Sequence, residues 1–184
     1  MGGYGSGRHL SDPMRAVEDG LTLRIRVFSE AFRATKASNQ PEGGTGTWSG
    51  TLTWSRGDRT TAQAGTVVRW ADGAPRVTLV YTWTPAGGEP RDVRQLVGTV
   101  ATQAGFGGVR RWFACPGLGG RACGRRVGCL YLPPGSGAFA CRTCHRLTYR
   151  SRQESRKYDA LFKHLAGQIG ADPRDVKRVL GRGS

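Results

Sequence analysis

The hydrophobic positions change period along the chain. Between residues 47 and 102 they alternate with polar ones, the two-residue period of a half-buried strand. TWSGTLTWS places Trp48, Leu52 and Trp54 among small polar residues. TVVRW (66–70) and RVTLVYTW (76–83) flank ADGAP, whose Asp72-Gly73 pair is a turn signal between two β-rich runs. That predicts a hairpin. DVRQLVGTVAT (92–102) predicts a further strand after the loop TPAGGEP. An antiparallel sheet fits these elements, with Trp and Val on its buried face. Stacking on bases is the alternative use of the tryptophans.

The two ends differ from this pattern. Tyr158, Leu161, Phe162, Leu165 and Ile169 recur at i, i+3, i+4, i+7 and i+11, an amphipathic helix opened by the capping box Ser151-Arg-Gln-Glu154 and ended by Gly170. Asp172-Pro173 then predicts a second short helix, with Asp as N-cap and Pro at the first helical position. In residues 17–36, Leu21, Ile25, Phe28 and Phe32 sit at helical spacing, and a helix is expected there. LTLRIRVF also alternates, so a strand is the competing assignment. Residues 1–16 are Gly-rich and polar, an expected flexible arm, and ASNQPEGGTG (37–46) is a loop. The expected class is α+β, with four segments: arm and short helix (1–46), antiparallel β domain (47–108), a cysteine-bearing segment (109–150) and a helical tail (151–184).

That third segment carries the chemistry. RRWFACP, RRVGCLYLP and GAFACR read as short strands, the last two around the turn PPGSG. The five cysteines, at 115, 123, 129, 141 and 144, all lie within it. An odd count, with no apolar signal segment in MGGYGSGRHLSDPMR, argues against a disulfide framework and for a cytoplasmic setting. Cys141-Arg-Thr-Cys144 has two-residue spacing. Cys115-Pro and Cys123-Gly have the surroundings of thiolate turns. A turn aims both sulfurs at one ion, and its free N–H groups stabilise thiolate charge. Two such turns joined by a hairpin form a zinc ribbon, a tetrahedral four-thiolate site at Cys115, Cys123, Cys141 and Cys144. The seven residues between Cys115 and Cys123 exceed the usual two to four, but PGLGGRA can bulge outward without moving the ligands. His145 adjoins Cys144 and is expected to stand aside. Cys129, in VGCLYLP, reads as a small buried hydrophobe. CRTCH also matches a c-type haem attachment pattern, which leaves Cys115 and Cys123 unexplained and needs an export route. A redox C-x-x-C would need a thioredoxin-like βαβ unit that does not surround it.

Charge narrows the partner. The 184-residue chain carries +15. Residues 109–152 hold nine arginines and no acid: Arg110, Arg111, Arg121, Arg125, Arg126, Arg142, Arg146, Arg150 and Arg152. A preference for Arg over Lys in base composition explains the choice of cation but not the missing acids. Even after the −2 of a zinc tetrathiolate, this block stays strongly basic. Guanidinium groups pair bidentately with phosphate and stack on bases, so nucleic acid, DNA before RNA, is the expected partner. No apolar run is long enough for a membrane span. The opening MGGYGS fits a loose myristoylation pattern with nothing apolar behind it.

GGYGSGR, FGGVRRWFACP, CGRRVGCLYLP and FACRTCHRLTYRSRQES together resemble a family of small bacterial proteins common on prophages and other mobile elements. Members show C-P, C-G-R-R and C-R-x-C, which match Cys115, Cys123, Cys141 and Cys144. This chain departs in its long Cys115–Cys123 gap and in TQAGFGG. The resemblance implies the same zinc ligands and a mobile-element setting, and no reaction.

Three functions remain in view. The first is a zinc-ribbon nucleic-acid-binding protein, an accessory or regulatory factor of a mobile element. The second is a zinc-stapled assembly module that meets a protein partner through its C-terminal helices. The third, an enzyme such as a nuclease, finds no paired carboxylates, Ser-His-Asp set or phosphate-cradling lysine motif. A four-thiolate site also leaves no open metal position, so no catalysis is expected.

Overall fold

The computed structural model describes residues 15–37, 46–105, 107–151 and 159–180. The Gly-rich arm, most of the 37–46 loop, Phe106, Arg152, the rest of the Ser151 capping box and Tyr158 lie outside the described residues. The chain divides into two compact units, Met1–Leu147 and Thr148–Ser184.

The first unit is built on a curled antiparallel sheet. Strands β2 (Thr47–Arg56), β3 (Arg59–Ala71), β4 (Ala74–Trp83), β5 (Arg91–Gln103), β6 (Val109–Ala114) and β7 (Arg126–Val127) follow one another in space in chain order. The alternation of residues 47–102 is the cause. Ala64, Val68, Val77, Leu79 and Val97 are buried on one face, while the other is exposed and carries polar residues together with Val80 and Leu96. Asp72 and Gly73 both adopt positive φ, 51° and 76°, and Ala71 pairs with Ala74 across them. That is the two-residue turn whose twist matches the strands.

The inner face is covered by the N-terminal segment, where the expected helix over 17–36 is corrected in its first half. Leu21–Arg24 is a strand, β1, paired antiparallel with β8 (Cys129–Leu132). Ile25–Phe28 is a 3-10 turn, and α1 (Ser29–Ala37) follows. The apolar residues at helical spacing belong to the turn and α1, while Leu21 and Leu23 obey the two-residue period against β8. Phe28, fully buried, meets Phe113 edge-on at 6.0 Å and Phe32 at 5.9 Å. Trp54 Nε1 donates to the Thr22 carbonyl at 2.9 Å, tying β2 to β1.

The expected continuous strand over 125–133 is broken. Gly128 accepts from the Ile25 amide, and the chain leaves the large sheet after β7 to pair with β1 as β8. The expected strand over 137–142 is reduced to one bridge, Tyr131 with Ala140. A side chain supplies the missing partner. Gln95 Nε2 donates to the Phe139 carbonyl at 2.8 Å, and the Phe139 amide donates to Gln95 Oε1 at 2.8 Å. The carboxamide thus completes both backbone bonds that a neighbouring strand would make. Phe139 then packs between Trp54 at 5.9 Å and Tyr81 at 5.6 Å.

Of the five tryptophans, Trp48, Trp54 and Trp83 pack against the core. That core is continuous from α1 through the sheet to Cys115 and Cys141, so β6 and β7 extend the same sheet as the strands before them. In the second unit, α2 (Asp159–Ile169) ends at Gly170, whose φ is 66°. Helix α3 (Pro173–Leu180) is capped by Asp172, whose Oδ1 accepts from the Arg174 amide at 2.7 Å. Among the described residues, Ala166 of α2 and Val176 of α3 are buried, while Leu161 and Ile169 of the expected stripe are exposed. No helix among the described residues is long and apolar enough to cross a membrane.

Candidate metal centre

Cys115 follows β6 directly. Its amide donates to the Arg125 carbonyl at 2.9 Å, and its carbonyl accepts from the Gly124 amide at 3.0 Å. The β6–β7 ladder therefore runs on to Cys115, and residues 116–123 form the hairpin tip. Within that tip the long cysteine gap is resolved as an external excursion. Leu118 and Arg121 bridge across Gly119-Gly120, which adopt φ of 59° and 77°. The extra residues fold on themselves and return the chain beside its starting point. Gly117 sits at the crossing with φ 81°; a Cβ there would lie 1.7 Å from the Arg121 carbonyl oxygen and 3.0 Å from the Cys123 nitrogen. Only glycine fits so close a passage of two backbone segments.

The second turn is Cys141–Leu147. The Cys144 amide donates to Cys141 Sγ at 3.5 Å, and the Leu147 amide closes the turn on the Arg142 carbonyl at 2.9 Å. Arg146 takes the left-handed conformation there, φ 53°. The Gln95 clamp holds the approach to this turn against the sheet. The two turns are joined where the Cys141 amide donates to Cys115 Sγ at 3.2 Å.

As the spacing implied, the result is a cluster of four thiols. The Sγ atoms of Cys115, Cys123, Cys141 and Cys144 lie within 4.8 Å of one another, and Cys115 and Cys144 are 3.9 Å apart. Four sulfurs at about 2.3 Å from one tetrahedral ion stand about 3.8 Å apart, so the cluster fits such an ion. Cys115 and Cys141 are buried at the end of the core, and Cys123 and Cys144 are half-buried. The electrostatics are those of thiols crowded around one point. Burial pushes the Cys115 thiol up, against amides of Cys141 and Gly117 that favour its thiolate. Burial and the neighbouring sulfurs push Cys144 up further. At Cys141 burial also opposes ionisation, but the Cys144 and Thr143 amides and the adjoining thiols outweigh it and bring the group down to about 7. Ionisation is thus favoured at Cys141 and disfavoured at Cys115 and Cys144, a conflict that a divalent cation relieves.

His145 stands aside, as expected: its Nε2 is 3.1 Å from the Ala138 carbonyl, and burial lowers its pKa. Cys129 is corrected from a buried hydrophobe to a half-buried thiol on β8, outside the cluster and beside a cleft. The predicted arginines separate into groups. Arg110 and Arg111 belong to β6, Arg121 to the excursion, Arg125 and Arg126 to the return strand, and Arg142 and Arg146 to the second turn. Arg150 lies in the second unit, and Arg152 outside the described residues. Arg110 stacks on Trp112 at 4.1 Å, and Arg111 lies over Trp70 at 5.0 Å. Sequence reasoning missed Gly117 and Gln95. Glycine after Cys115-Pro116 was a usable signal for the first; nothing local marks the second.

Comparison of the chain with family models, with curated proteins and with solved structures finds no match in any of the three. Fold and site together define a class: a mostly antiparallel β protein whose core ends in a four-cysteine cluster compatible with a zinc-binding module.

Proposed function

We propose that the chain is a zinc-stapled nucleic-acid-binding protein, with DNA the first candidate partner and RNA the second. The observation that carries the reading is the acid-free block of nine arginines in residues 109–152, the stretch that also holds all five cysteines. Zinc suits the cluster because four thiolates in tetrahedral array, with amide bonds to sulfur, are the donor set of a closed structural site. Cys115, Cys123, Cys141 and Cys144 would hold the ion, which would supply cross-linking of the hairpin tip to the second turn. No open position is left for catalysis. Guanidinium groups carried by that frame would meet phosphates, in the accessory or regulatory setting that the mobile-element resemblance suggests.

A salt-titrated binding assay tests it. Each neutralised phosphate releases counterions, so the logarithm of affinity should fall linearly with the logarithm of salt concentration, with a slope of about −0.7 per contact on single strands and −0.9 on duplex. Unchanged affinity between low and moderate salt, or no binding to DNA or RNA, overturns the reading. One observation favours a protein-assembly module instead: Leu161, Ile169 and Val179 of the second unit are 50%, 69% and 72% exposed. Co-purification of a stoichiometric protein, free of nucleic acid, would support that alternative.

A further inference from the structure

A cleft of about 610 Å³ lies between the N-terminal segment and the start of β6. Its walls carry Arg24, Arg26, Arg33, Lys36, Arg110 and Arg111, and no carboxylate. The first four come from a region whose net charge is close to neutral, so composition alone hides them. Folding sorts them. Ser29, Phe32, Arg33 and Lys36 recur at i, i+3, i+4 and i+7 and line the cleft from one stripe of α1, a stripe that omits Glu30. Among the described residues none of the six cations has an ion-pair partner.

The floor is different in kind. Ile25 and Val109 give it apolar surface, and Val109 is 55% exposed, while Phe32 is buried beneath it. Arg111 is held over the rings of Trp70 and Phe32, at 5.0 and 5.7 Å. A guanidinium already ordered by aromatic faces loses less freedom when it grips an anion. Like charges gathered without counter-charge raise one another's energy, and a polyanion relieves this.

We infer that this cleft is the seat of a single-stranded nucleic acid, with Arg24, Arg26, Arg33 and Lys36 gripping its phosphates and a base against Ile25, Val109 and the Arg111 guanidinium. The inference rests on the nucleic-acid reading above and names where and in what form the strand binds. Two features select a strand over a free phosphate or a duplex. The lining cations come from four places along the chain, Arg24 on β1, Arg26 in the turn after it, Arg33 and Lys36 on α1, and Arg110 and Arg111 on β6, more than one phosphate can engage. The volume matches a site for one small ligand, so one or two nucleotides enter and a duplex does not. A basic track beside an apolar stacking surface is the general solution for single strands.

The test compares the double variant Arg26→Glu, Lys36→Glu with the control Arg56→Glu, Arg59→Glu at the β2–β3 turn. All four side chains are exposed, and the control lies outside the cleft. Zinc content and circular dichroism check that both fold. The probes are a labelled oligo-dT of about 16 nucleotides and a mixed-sequence duplex of equal length. Single-strand affinity should fall at least ~10-fold in the cleft variant, with the salt slope shallower by about 1.4 for two lost contacts. The control should change by less than ~3-fold, and the wild type should favour oligo-dT over duplex. If the wild type binds but the cleft variant equals it, or duplex is preferred, the cleft assignment is wrong while the nucleic-acid reading stands. If the wild type binds neither probe, that reading fails and takes the cleft with it.

Discussion

Substituting Gly117 by alanine isolates how the long cysteine gap is accommodated. The new Cβ would lie 1.7 Å from the Arg121 carbonyl oxygen, a backbone atom with no flexible end to swing away. Ordinary carbon–oxygen contact is near 3.5 Å, so one strand of the tip must move by roughly 1.5–2 Å. The left-handed φ of 81° adds about 1–2 kcal/mol for a residue with a Cβ. Displacing the tip also weakens the bond from the Gly117 amide to Cys115 Sγ, worth about 1.5–3 kcal/mol when the acceptor is a thiolate. Together these give about 3–5 kcal/mol, or at least ~100-fold in zinc affinity. The matched control is Gly119→Ala, where φ is 59° and nothing lies within 4 Å of a new Cβ; its cost should be about 1–2 kcal/mol. Chelator competition reads zinc affinity, and urea unfolding of the zinc-loaded protein reads stability. Equal effects of the two substitutions would refute the crossing geometry.

Three further outcomes follow from the same contacts. Gln95→Leu strands the Phe139 amide and carbonyl, and should cost about 2–4 kcal/mol in urea unfolding; a loss below ~1 kcal/mol would show that the clamp is dispensable. Arg146→Gly relieves a left-handed residue and should raise stability by about 0.5–1 kcal/mol after glycine's extra unfolded-state freedom is allowed for; a lowered Tm counts against it. Burial raises the Cys115 and Cys144 thiols, so an ion that binds them as thiolates must displace protons. Zinc affinity should therefore rise with pH, by about 10-fold per unit for each proton displaced, and a pH-independent affinity would contradict this.

Much of the first unit was legible because a two-residue period and Asp72-Gly73 are local signals. The cysteine quartet was legible for the same reason: Cys141-Arg-Thr-Cys144 and the turn residues after Cys115 and Cys123 state their geometry nearby. What alternation leaves open is the partner. LTLR and CLYL are both plausible strands, yet nothing in either says that residues more than a hundred positions apart pair with each other. Helical spacing in 17–36 misled because Phe28 and Phe32 serve a real helix while Leu21 and Leu23 serve a strand. The Gln95 clamp was invisible since a lone glutamine in a strand is usually solvated. The basic cleft was hidden by averaging: Arg24, Arg26, Arg33 and Lys36 are balanced by nearby acids in the chain, and only the turn at Ile25–Phe28 brings them to one side.

The central claim is that four thiols of this chain form one closed zinc site. Metal analysis of the purified protein, with the Cys141→Ser, Cys144→Ser and the Cys129→Ser variants beside it, tests it most directly. One zinc per chain is expected in the wild type and in Cys129→Ser, and loss of both zinc and cooperative unfolding in the double variant. A wild-type protein that folds without metal and takes up none, or a double variant that keeps its zinc, would contradict the account.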